Sequence, residues 1–136
     1  TIEAKIFDLS TQIVNCKADL ALKIIGELFF TRVEPIIILA TISGFYVDLY
    51  RIFLGKKKGL NFEELVELFS CQKRKYALQK AQTYIDRFDS NRFNLSFDAL
   101  CDADRKLKSF SLDAKTIIEQ CAIKLCYIAA KGEAID

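Results

Sequence analysis

Residues 35–54 form an apolar run interrupted by only two charges, Asp48 and Arg51. At about 1.5 Å per residue such a run is nearly long enough to span a bilayer. It also carries Ser43, Gly44, Tyr46 and Tyr50, and its two charges lie one helical turn apart, a costly pair in lipid. The run is therefore read as the central helix of a bundle, apolar nearly all round because its neighbours bury it. Pro35 suits its first position, where a missing N–H costs nothing. The helix is expected to stop at Gly55 and the Lys56–Lys58 run.

The rest of the chain fits around such a rod. One proline and five glycines in 136 residues leave room for long uninterrupted elements, and 51% hydrophobic residues supply a core. Apolar residues recur at helical spacing: Ile6, Leu9 and Ile13 over 4–15, then Ala21, Ile24, Ile25 and Leu28 over 18–30. Asn61 with Glu64 three residues on reads as a capping box, opening a short helix with Phe62, Leu65, Val66 and Phe69. Further helices are expected over 72–88, 92–108 and 112–130, with turns at 89–91 and 109–111. The expectation is an all-α compact bundle of about seven helices, one domain over 1–136.

The chemistry that such a bundle carries is narrow. There is no His to serve as a base near neutrality and no glycine-rich phosphate loop, so no catalytic residue, cofactor site or metal site is assigned. The chain is read as no enzyme. Glu63 with Glu67, and Asp98 with Asp102, are i, i+4 acidic pairs, read as solubilising charge. Asp104 and Lys108 form an i, i+4 acid-to-base pair. The five cysteines show no CxxC spacing, and Cys101 and Cys121 fall four residues from Phe97 and Ile117, on faces expected to be apolar. Reduced core thiols and an N-terminus carrying Glu3 and Asp8 point to a cytoplasmic protein without a signal peptide.

Net charge is only +2, but residues 55–92 hold nine Lys/Arg against five Asp/Glu. A solvated face is the preferred reading of that block. The alternative is a helix-turn-helix over 61–86 that touches nucleic acid through Lys73, Arg74, Lys75 and Lys80.

The order of segments adds a resemblance. The string SFDALCDADRKLKSFSLDAKTIIEQCAIKL, with Asp102, Ala103, Asp104, Leu107 and Lys108, is similar to the end of the bacterial DNA polymerase III delta subunit. Ile6-Phe7-Asp8-Leu9, the Glu34-Pro35 turn before a long apolar helix, and 61–69 followed by a basic helix resemble the same family. Ser109-Phe110-Ser111 departs from its usual glycine or polar turn, and the third helix is unusually aromatic. The resemblance implies a C-terminal collar domain of a clamp loader, a non-ATPase part acting in DNA replication. Its partners would be the other clamp-loader subunits, five collars packing into a ring. The sliding clamp would be met only through an N-terminal AAA+-like domain absent from this sequence, and DNA only indirectly; no membrane is involved. Glu34, Pro35, Asp104 and Lys108 are then family-like structural residues. Assembly by helix packing predicts apolar side chains left over outside the core, around Phe29, Phe30 and Tyr50.

Overall fold

A computed structural model describes residues 1–70, 72–109 and 112–135. Regular structure among them is helical: α1 (Ile2–Val14), α2 (Ala18–Phe30), α3 (Pro35–Lys57), α4 (Phe62–Leu68), α5 (Lys75–Ala81), α6 (Ser90–Leu107) and α7 (Ala114–Lys131). Two 3₁₀ segments, Gln72–Arg74 and Gln82–Arg87, flank α5. Cys71, Phe110 and Ser111 lie outside the described residues, and most of the turn expected at 109–111 falls there.

Side chains set most of the helix starts. Thr1, Asp89 and Asp113 each accept the N–H three residues on, at 3.0, 2.8 and 3.1 Å. At α4 the capping box is complete: Asn61 Oδ1 accepts from Glu64 N (2.8 Å), and Glu64 Oε1 accepts from Asn61 N (3.1 Å). The Glu34 side chain makes no cap hydrogen bond, so the start of α3 rests on Pro35.

Three helix ends are Schellman turns. After α3, Leu60 N donates to Gly55 O (2.9 Å) and Gly59 N to Lys56 O (3.1 Å), with Gly59 at φ +77°. The same pair of bonds closes α1 and α2, with Cys16 (φ +62°) and Arg32 (φ +61°) in the left-handed position. α3 thus runs past the expected stop. Lys56 and Lys57 are good helix formers and favourable at a C-terminus, and Gly55 alone does not end a helix. The left-handed residue that does is Gly59.

The core is one contiguous cluster drawn from all seven helices. Its centre is aromatic. Phe7 meets Phe45 edge-on at 5.5 Å, Tyr46 meets Phe88 at 6.1 Å, and Phe93 lies 5.0 Å from Phe88 and 5.1 Å from Tyr50. α6 and α7 form an antiparallel pair joined at its open end, where Asn91 Nδ2 donates to Gly132 O (2.8 Å) and Arg92 Nε to Ala129 O (3.1 Å). The hydroxyls of Tyr46 and Ser96 are buried in the core without a hydrogen-bond partner among the described residues. Burial holds the Tyr46 phenol well above its ordinary pKa.

Three expectations need correction. The single helix expected over 72–88 is a seven-residue α5 between two 3₁₀ segments. Thr83 Oγ1 donates to Lys80 O (2.7 Å) where the helix tightens, and Thr83 and Ile85 are β-branched, so the backbone has a local alternative there. Cys101 is exposed, since the buried stripe of α6 is Phe93, Ser96, Leu100 and Ala103, and Phe97 marks only its edge. Cys121 does lie inside. The third correction concerns α3, and it shapes the molecular surface.

Candidate interaction surface

α3 buries one side and leaves the other open. Ile38, Leu39, Ile42, Phe45, Tyr46, Leu49 and Ile52 are in the core, while Ile36, Ile37, Ala40, Gly44, Val47 and Leu54 are exposed. At 100° per residue, Ile37, Ala40, Gly44 and Val47 fall along one face. The sequence had marked this helix as apolar all round; the structure spends only part of that surface on the core. α3 is long and apolar enough to cross a bilayer by composition alone. In the fold, however, Asp48 and Arg51 stand in its middle and pair with one another at 3.5 Å.

Gly44 and Val47 of this open face, with Thr41, Phe45, Asp48 and Arg51, form the floor of a groove of about 1030 Å³. One wall is α1, with Ala4, Phe7, Asp8 and Thr11; the other is the α5 region, with Lys73, Tyr76, Ala77 and Tyr84. Two tethers hold the α5 wall. Asp48 accepts from Arg74 Nη2 (2.9 Å) and Nε (3.2 Å), a two-point bond on a carboxylate only 14% exposed. Arg87 Nη1 donates to Asn15 Oδ1 (2.6 Å) at the C-terminal end of α1.

The tethers bear on the four basic residues singled out for nucleic acid. Arg74 is bound to Asp48, and Lys75 reaches Glu63 at 3.0 Å. Lys80 lies over the Tyr76 ring, 5.3 Å from its centre, and Lys73 is exposed; neither has an ion pair among the described residues. A recognition helix presents several side chains from one continuous rod to base edges. Here α4 and α5 have seven residues each, and half of the basic set faces the protein's own carboxylates.

The remaining polar features are structural. Asp104 and Lys108 pair at 2.8 Å on the exposed side of α6. Asp102 accepts from Lys106 (2.9 Å) and lies near Arg105 (3.3 Å) and Lys124 (3.7 Å). The Lys106 bond is the main cause that holds its carboxyl below the ordinary aspartate value. No group of His, Cys, Asp or Glu suited to a metal occurs among the described residues. Of the three apolar side chains expected outside the core, Phe30 is 77% exposed, whereas Phe29 and Tyr50 are partly buried against the core. The exposed set extends to Tyr76, 71% exposed, and to the face of α3, which the sequence reading assigned to the interior. The surplus of apolar residues on α3 over one buried stripe was the signal available.

Comparison with known proteins gives two findings. The chain matches the family described as DNA polymerase III delta subunit, C-terminal domain, over residues 3–125. Its fold is similar to that of the Bacillus subtilis DNA clamp loader delta protein (YqeN), with a TM-score of 0.82 and 22% sequence identity. That likeness covers 93% of this chain and 37% of the Bacillus chain. No curated protein matches.

Proposed function

The chain belongs to the family of C-terminal domains of DNA polymerase III delta subunits, and from that premise we propose that it is a collar module, binding the other subunits of a clamp loader through helix faces. It acts in DNA replication in the cytoplasm, as a single domain without chemistry of its own. The observation that carries this reading is the apolar surface left after the core closes. The face of α3, with Phe30 and Tyr76, remains outside a core that is already complete. Monomeric proteins rarely expose large contiguous apolar patches unless a partner covers them. Any contact with a sliding clamp belongs to other parts of a delta subunit, and DNA is reached only through the assembly.

Support for direct DNA reading by 61–86 is weak, because Arg74 and Lys75 are spent on Asp48 and Glu63. Two measurements separate the readings. Size-exclusion chromatography of the chain mixed with the other clamp-loader subunits of its organism should show co-elution. Fluorescence anisotropy with duplex DNA at low salt should show no binding. Failure to co-elute while those subunits assemble with one another would remove the collar reading. Tight, salt-sensitive duplex binding would restore the alternative.

A further inference from the structure

Resting on the collar reading, we propose that the groove between α1, α3 and α5 seats one amphipathic helix of a sister clamp-loader subunit. The dimensions suit that occupant. The floor runs from Thr41 to Arg51, ten residue steps or about 15 Å of helix axis, nearly three turns. It continues in line to Ala40 and Ile37 at its N-terminal end. A Cβ placed at Gly44 would meet nothing within 4 Å, so the middle of the floor lies open to close backbone approach.

Charge gives the occupant its orientation. The α1 wall carries Glu3 and Asp8; the α5 wall carries Lys73 and Lys80. Neither Glu3 nor Lys73 has an ion pair among the described residues. The charges of the floor, Asp48 and Arg51, are already paired with each other, and Asp48 also with Arg74. A complementary helix lays an apolar ridge over Gly44 and Val47, with acidic residues toward Lys73 and Lys80 and basic residues toward Glu3 and Asp8. A flat lipid surface does not fit a concave site with charged walls of opposite sign. A small metabolite would want converging polar groups free to bind it, and those of this floor, Asp48 and Arg51, are taken up in ion pairs.

The test is a binding titration of the 136-residue chain against the purified sister subunits, with three variants. Gly44→Leu fills the floor without touching the core, and should weaken association at least tenfold while leaving the melting temperature no lower. Lys73→Glu and Glu3→Lys should each reduce the on-rate severalfold and flatten its salt dependence. Association of the parent chain that is unchanged by Gly44→Leu would overturn the groove and leave the collar reading standing. No association of the parent chain with any sister subunit would overturn both. Self-association abolished by Gly44→Leu would overturn the sister helix in favour of a second copy of this chain.

Discussion

Gly55 and Gly44 lie on the same helix and nearly the same face, and replacing each with alanine should move stability in opposite directions. In a helix interior, glycine costs roughly 0.5–1 kcal/mol relative to alanine through backbone entropy. At Gly44 the added methyl meets nothing, so the variant should gain about that amount. At Gly55 the methyl would overlap the δ-methyl of Leu65 and lie 3.0 Å from its Cγ. Leu65 is itself buried on α4, so turning its side chain only moves the overlap elsewhere. Overpacking of this kind costs about 1–3 kcal/mol, which outweighs the entropy gain and leaves a net loss of roughly 1–2 kcal/mol. Unfolding entropy of about 2.1 cal/mol/K per residue gives a chain of this length a shift of about 3–4 °C per kcal/mol. Calorimetry should therefore show Gly44→Ala melting about 2–3 °C higher and Gly55→Ala about 3–7 °C lower. Equal gains at both sites would refute the seating of α4 on α3. A loss at Gly44 would refute the open floor.

Four further outcomes follow from side chains already placed. Tyr46→Phe removes a buried hydroxyl without a partner and should leave stability unchanged or raise it by about 1 kcal/mol in urea unfolding; a loss larger than that would reveal a bond to the hydroxyl. Arg74→Ala should cost about 0.5–1 kcal/mol, the guanidinium being half exposed, and should speed amide exchange over Lys75–Ala81. NMR titration should find Asp102 below the ordinary aspartate pKa, and Lys106→Met should bring it back up. Because its folded value is depressed, its contribution to stability is present above the unfolded pKa and fades as pH falls through the folded one. At pH 8 a maleimide should label Cys16 and Cys101 well before Cys121 and Cys126, whose thiols burial pushes up to about 12 and about 11; mass spectrometry reads the order.

Most of the fold was legible because local signals and the hydrophobic period agree along much of the chain. The capping box at Asn61 and the proline start at Pro35 stand where the sequence placed them. The bundle of seven helices among the described residues is likewise as expected, and the family that the sequence resembles is the one matched over residues 3–125. What escaped depends on neighbours far off in sequence. Nothing near Arg74 announces that Asp48, 26 residues away, will bind it and anchor α5 as one wall of a groove. Cys101 was misplaced because it was referred to Phe97 alone, which lies at the edge of the buried stripe and not on it. The face of α3 was misread for a more general reason. An apolar helix that its own chain buries all round and one that it buries on one side only have the same sequence pattern, and only the packing of α1 and α5 tells them apart.

Hydrogen–deuterium exchange on this chain, alone and with the other clamp-loader subunits of its organism, tests the proposed collar role most directly. The expected result is slowed exchange in α1, α3 and α5 on mixing, with the α6–α7 pair unchanged. Assembly of those subunits with no change in any amide of this chain would contradict it.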